Sequence, residues 1–193
     1  SQYHFSALYL KKMSDAVEGE SPIRAFVRGT AINANGRTGG ITHPSREGQE
    51  TVIRQAYQNA KLPLYDTTYF ECHGTGTPVS WSCSFFPFAV IDAEDENLHI
   101  IVQVGGPIEI SAIGNVFSSV RGIDDAPLIG SIKTNVGHTE AASAIAGIMK
   151  VVVALESGFI PPSIGVRNLN PKIDFPGANV EFKGKSPHGP QVG

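Results

Sequence analysis

The sequence predicts a layered α/β domain, and three observations predict it. Amphipathic helical stretches alternate with short β-rich runs along most of the 193 residues, the order that a sheet covered by helices produces. Two histidines, His73 and His138, each follow a short apolar run in a turn rich in glycine and threonine. Open α/β sheets place their ligand sites there, just past the carboxyl ends of strands. Finally, 140–156 is apolar around most of its circumference, as befits a helix packed in the middle of a domain.

The elements follow in chain order. Residues 1–24 form a lead-in, with a strand and then a turn expected within 7–17. Residues 25–33 are β-rich and read as a strand, and Asn33-Ala34-Asn35-Gly36 supplies turn chemistry. Pro44-Ser45 opens a helix whose apolar positions Val52, Ile53, Ala56, Tyr57 and Ala60 share one face, and Pro63 ends it. Residues 69–72 are a short strand running into His73. Pro107 suits the first turn of a second helix, with Ile110, Ile113, Val116 and Phe117 as its stripe. Residues 128–132 are a strand running into the loop of His138. The third long helix spans 140–156, and Gly158 and Pro161-Pro162 stop it. The tail 183–193 is polar, rich in glycine and proline, and reads as frayed. The compact unit is therefore 25–182.

Bulk properties narrow the function. The length supports one sizeable core. Net charge is −3, and no cationic run is longer than Lys11-Lys12, which argues against nucleic acid or an anionic membrane as partner. The longest apolar stretch, 145–155, is interrupted by Lys150, so no spanning segment is expected. Two cysteines, Cys72 and Cys83, are too few for a disulfide scaffold and suit a reducing compartment. The chain reads as cytoplasmic.

The chemistry gathers at the histidines. In Glu71-Cys72-His73-Gly74-Thr75-Gly76-Thr77-Pro78, alternate glycines let the backbone turn tightly against a ligand, and the hydroxyls of Thr75 and Thr77 can donate to it or accept from it. The spacing of a phosphate loop is missing. His138, in Ser131-Ile132-Lys133-Thr134-Asn135-Val136-Gly137-His138-Thr139-Glu140, precedes a helix N-terminus that carries partial positive charge. Backbone N–H groups and an imidazole N–H there could hold a developing oxyanion. Lys133 could reach the same pocket, with Glu140 as its partner. Each also has a plainer reading, Lys133 as a surface amine and Glu140 as a capping residue. A zinc site from His73, His138 and Cys72 or Glu140 lacks any short-spaced ligand pair, so no metal is expected. Cys72, beside His73 on an extended segment, faces away from it and reads as a small buried apolar residue.

Taken together these motifs resemble the downstream half of a β-ketoacyl synthase, the condensing domain of polyketide and fatty acid synthases. The likeness runs from about Ser14 to Phe182. It includes Ile23-Arg24-Ala25, Gly29-Thr30-Ala31, Asn35-Gly36-Arg37-Thr38, both histidine motifs and Ile160-Pro161-Pro162-Ser163. It is most similar to the ketosynthase of a eukaryotic iterative polyketide synthase. The resemblance implies a thiolase-like fold of two halves and a decarboxylative Claisen condensation. An upstream cysteine, with no counterpart recognised in this chain, would carry the acyl group. His73 and His138 would stabilise the malonyl-derived enolate. Lys133 would order the His138 side together with Glu140, and Thr75 and Thr77 would line the entrance for 4'-phosphopantetheine. That group is presented by an acyl carrier protein, and no cofactor is bound directly. The other implied partners are the N-terminal half of the domain and, in the complete enzyme, a second copy of it. A non-catalytic module that binds the acyl chain or its carrier is the alternative.

Two departures stand out. Gly106 replaces the family's aspartate, and 79–103 has no clear period. If 79–103 is removed, the first histidine motif joins Val104-Gly105-Gly106-Pro107-Ile108-Glu109, close to the family's His-Gly-Thr-Gly-Thr-Pro-Val-Gly-Asp-Pro-Ile-Glu. The stretch is expected to be an insertion or the translation of a retained intron.

Overall fold

The computed structural model describes residues 6–33, 45–74, 86–92, 99–102, 106–137, 139, 142–164 and 171–182. The elements in order are α1 (Met13–Glu18), β1 (Phe26–Asn33), α2 (Arg46–Ala60), β2 (Thr67–Glu71), β3 (Phe86–Asp92), β4 (His99–Val102), α3 (Gly106–Phe117), β5 (Leu128–Gly130), α4 (Lys133–Val136), α5 (Ser143–Ser157) and β6 (Glu181–Phe182). Six strands form one sheet in the order β1-β3-β4-β2-β5-β6. β2 pairs in parallel with β4 and β5, and β5 with β6, whereas β3 runs antiparallel to β1 and β4.

The layering follows from alternation along β2. Successive side chains of a strand point to opposite faces. Phe70 and Cys72 enter a core with Ile53, Ala56 and Tyr57 of α2 and Ile113, Val116 and Phe117 of α3. Tyr69 enters a second core with Val151, Ala154 and Leu155 of α5. The sheet is thus covered by α2 and α3 on one face and by α5 on the other. Edge-to-face contacts of Phe117 with Tyr57 and Phe70, at 6.2 and 6.3 Å, lock the first layer.

All five apolar positions expected on α2 are buried, and so is the expected stripe of α3. Ser45 caps α2 by accepting from the Gly48 N–H at 3.0 Å, and Gly158 closes α5 in the left-handed conformation.

Several expectations need correction. The strand expected within 7–17 is the short helix α1, because its one buried side chain, Ala16, sits in a turn closed by Ala16 N–H to Lys12 O at 2.9 Å. Tyr9 and Leu10, in the apolar run 7–10, are exposed and belong to no element. α5 lies on the sheet, yet Met149 and Val153 on its outer side are about half exposed, because nothing among the described residues covers them. Within 79–103, which carries no clear period in sequence, β3 and β4 are described and stand between β1 and β2. No described helix is long and apolar enough to cross a membrane. The tail 183–193 lies outside the described residues.

Candidate active site

The site grows from the carboxyl ends of two neighbouring parallel strands. The β2–β5 ladder ends at Glu71 opposite Gly130, with one further bond from Cys72 N–H to Gly130 O at 2.6 Å. The two chains then leave the sheet side by side, one carrying His73 and the other Ser131, Ile132 and Lys133. Ser131 Oγ donates to His73 O at 3.1 Å. Gly74 has φ +57°, and a Cβ there would lie 2.7 Å from Ser131 Cβ. Glycine is required on both counts.

Lys133, the first residue of α4, reaches back to His73. Its Nζ lies 2.6 Å from His73 Nδ1. With Lys133 as the ammonium, it donates to the Nδ1 lone pair, and a neutral ring then carries its proton on Nε2. Partial burial pushes the Lys133 amine below its usual range, while the charges of Glu109, Glu71 and Cys72 oppose that shift.

Glu109, in the first turn of α3, sits beneath the same loop. It is fully buried, and its Oε1 accepts from the His73 N–H at 3.0 Å. Burial raises its carboxyl to about 8, and the main-chain N–H groups of His73 and Gly74 and the charge of Lys133 limit the rise. Oε2 is buried with no hydrogen-bond partner among the described residues, a setting that favours the neutral carboxyl.

On the other face of β2, Tyr69 and Glu71 meet Lys150 of α5. Lys150 Nζ donates to Glu71 Oε2 at 2.8 Å and to Tyr69 Oη at 2.7 Å, and Tyr69 O–H donates to Glu71 Oε2 at 2.6 Å. The remaining oxygen, Glu71 Oε1, accepts from the Ile132 N–H. The cluster is tightly enclosed: a Cβ on Gly130 would lie 2.6 Å from Tyr69 Oη. Burial above all drives the Tyr69 phenol well above its usual range. Beyond α5, Ser163 Oγ accepts from the Ser131 N–H at 3.1 Å, and Asn135 Nδ2 donates to Pro162 O at 3.1 Å.

Of the residues expected in the site, His73 and Lys133 come together here. His138, Glu140, Thr75 and Thr77 lie outside the described residues. Lys133, expected to serve the His138 side, contacts His73. Cys72 is buried in the α2–α3 core, and burial first, then the charges of Glu109 and Glu71, lift its thiol well above the usual value. A thiol so placed is not a poised nucleophile. Cys83 is outside the described residues. Among the described residues, no group of three His, Cys, Asp or Glu side chains could hold a metal ion. Sequence reasoning missed Glu71, Glu109, Tyr69 and Lys150. One signal was available: a lysine in an otherwise apolar helix needs a buried partner.

Comparison with known proteins gives this geometry a context. The model of the β-ketoacyl synthase C-terminal domain matches residues 24–80 and 101–167, and so breaks over 81–100. Prosolanapyrone synthase of Alternaria solani is 63% identical over 179 residues, which is 92% of this chain and 6% of that protein. The polyketide synthase-like protein Preu9 of Preussia isomera is 54% identical over 178 residues, 91% of this chain and 7% of that one. The chain therefore spans only a small part of the length of these relatives. Among solved structures, the oxazolomycin ketosynthase domain KS7 of Streptomyces albus JA3453 superposes with a TM-score of 0.70 at 27% identity, covering 90% of this chain and 26% of that one. The ketosynthase from module 6 of the bacillaene synthase of Bacillus subtilis 168 gives 0.69 at 27% identity, covering 91% of this chain and 27% of the other.

Proposed function

This chain belongs to the β-ketoacyl synthase family, whose C-terminal domain it carries in a thiolase-like α/β fold, and on that premise we propose that it supplies the enolate-stabilising half of a ketosynthase active site. The observation that carries this reading is the Lys133–His73 contact at 2.6 Å. It leaves the imidazole with an N–H donor on Nε2, the form needed to hold a thioester carbonyl whose oxygen becomes negative as malonyl loses carbon dioxide. His138 is the second donor. Thr75 and Thr77 line the approach of the phosphopantetheine arm, which arrives on an acyl carrier protein as carrier of the substrate. Lys133, assigned by resemblance to the His138 side with Glu140, acts on this geometry through His73.

By resemblance the sulfur nucleophile that receives the acyl group lies upstream, and Cys72, buried with its thiol pushed well above the usual value, does not suit that role. The N-terminal half that brings it covers the exposed side of α5 at Met149 and Val153, and the complete domain pairs with a second copy.

Residues 79–103 interrupt the family frame. The break in the family match over 81–100 supports an insertion, and translation of a retained intron is its source. Sequencing the transcript tests this: an mRNA that keeps these codons at full abundance overturns the intron. The insertion and Gly106 also favour a second reading, a carrier-binding module without condensing activity.

The deciding experiment assays condensation from malonyl carrier protein with the full-length protein that contains this chain. His73→Ala and His138→Ala should each abolish it, and full activity in either variant removes that imidazole from the mechanism. An inactive parent protein that still binds malonyl carrier protein favours the second reading.

A further inference from the structure

We propose that Glu71 is a positioning residue that sets the separation of the His73 and Lys133 loops through the Ile132 N–H that its Oε1 accepts, with Lys150 balancing its charge and Tyr69 holding its other oxygen. The proposal rests on the enolate-stabilising role of His73 given above, and it concerns a buried cluster that touches no substrate.

Past the end of the β2–β5 ladder, three described contacts tie the two loops together. Ser131 Oγ bonds His73 O, Lys133 Nζ bonds His73 Nδ1, and Glu71 Oε1 takes the Ile132 N–H. The last of these fixes the main chain immediately before Lys133. It therefore decides where the lysine stem begins, and hence whether Nζ arrives at Nδ1 or falls short. The carboxylate can act as a fixed point because its other oxygen is clamped. Lys150 Nζ at 2.8 Å and Tyr69 Oη at 2.6 Å both engage Oε2. Lys150 Nζ also donates to Tyr69 Oη at 2.7 Å, so the ammonium is held from two directions, by the carboxylate and by the phenol.

One carboxylate thus joins β2, the β5–α4 turn and α5. A hydrophobic replacement could fill the same volume, but it could not accept the Ile132 N–H. Charge and anchoring are therefore separable by substitution.

Two double variants of the full-length protein test this. Glu71→Leu with Lys150→Met removes both charges and the acceptor for Ile132. Glu71→Gln with Lys150→Met removes both charges but keeps an amide oxygen facing Ile132. The readouts are acyl loading from an N-acetylcysteamine thioester by mass spectrometry, carbon dioxide release from malonyl carrier protein, and the rate of His73 modification by diethyl pyrocarbonate. For the Leu/Met pair the expected result is unchanged loading, an unchanged KM for malonyl carrier protein, a fall in carbon dioxide release of roughly 10- to 100-fold, and an altered rate of His73 modification. The Gln/Met pair should stay within about threefold of wild type in every readout.

Wild-type carbon dioxide release and His73 labelling in the Leu/Met pair overturn the proposal. So does an equal loss of loading and release, which marks a merely structural cluster. If the Leu/Met pair fails to fold, the Gln/Met pair decides: folded protein with lost release or altered labelling refutes anchoring through the amide-compatible oxygen. Labelling requires no turnover. A wild-type protein that releases no carbon dioxide thus refutes the proposed function, while the labelling rates still decide the positioning role.

Discussion

Two buried carboxylates flank His73, and they are held in opposite ways. Glu71 is 1% exposed and Glu109 is fully buried. Glu71 has an ammonium at 2.8 Å, a phenol and a main-chain N–H around it. Glu109 has main-chain N–H groups and the more distant charge of Lys133, and its carboxyl rises to about 8. Equal burial therefore does not impose equal chemistry. Glu71 is clamped by a cation in contact and two further donors, whereas Glu109, with main-chain donors and no cation in contact, is pushed up to about 8 by burial. The two sit on opposite sides of the histidine loop, one clamping the backbone that leads to Lys133 and the other receiving the His73 N–H.

Removing the cation from the first site should have the largest effect. Lys150→Met leaves the Glu71 charge buried without compensation, and the expected loss of stability is about 3–5 kcal/mol. Chemical denaturation reads it directly. Glu71→Gln added to Lys150→Met should recover most of that loss. If the single and double variants are equally stable, the carboxylate already has enough donors without Lys150.

The second site should show itself through pH. With a carboxyl near its ordinary value in the unfolded chain and at about 8 in the fold, the folded state holds the extra proton between these limits. Stability from this group is full below the unfolded value and falls as pH rises through about 8, by an amount on the order of a few kcal/mol. Lys133, whose amine is depressed, acts with the opposite sign at higher pH. Glu109→Gln should flatten the decline in melting temperature between pH 5 and 8. A wild-type protein with no such decline would show that Glu109 is ionised throughout.

Much of this contrast was hidden from sequence. The helices were legible because Val52, Ile53, Ala56, Tyr57 and Ala60 repeat with a local period, and so do Ile110, Ile113, Val116 and Phe117. The histidine loops were legible as motifs. The order of the sheet was not, because pairing β3 with β1 and β4 with β2 leaves no local pattern. Nor were the charge partners. Glu71 and Lys150 are 79 positions apart, and Lys133 and His73 are 60 apart. Lys150 announced that some partner existed, but only the fold selects Glu71. Glu109 carries no local signal of its role, because nothing in its neighbourhood reports that α3 runs beneath His73. The lead-in misled for the opposite reason: the apolar run 7–10 looks like a strand locally, yet among the described residues no strand pairs with it.

Cys72 offers a smaller test of the same distinction between burial and function. Its thiol is packed among apolar side chains between the two carboxylates, with its proton held by burial. Cys72→Ala should cost about 1 kcal/mol through the lost volume, and acyl loading of the full-length protein should be unchanged. Loss of loading with retained stability would return Cys72 to candidacy as the nucleophile.

A third carboxylate completes the series and should give the smallest effect. Glu156, near the end of α5, pairs with Arg24 at the surface, and Arg24 is two-thirds exposed. The Arg24 guanidinium lowers the Glu156 carboxyl, but water solvates both groups whether or not they meet, and salt screens what attraction remains. Glu156→Gln should leave the melting temperature unmoved at physiological ionic strength, with any difference confined to low salt. A loss as large as that from Lys150→Met would mean that direct contact, rather than exclusion of water, governs these pairs, and the contrast between Glu71 and Glu109 would then need a cause other than the cation at Glu71.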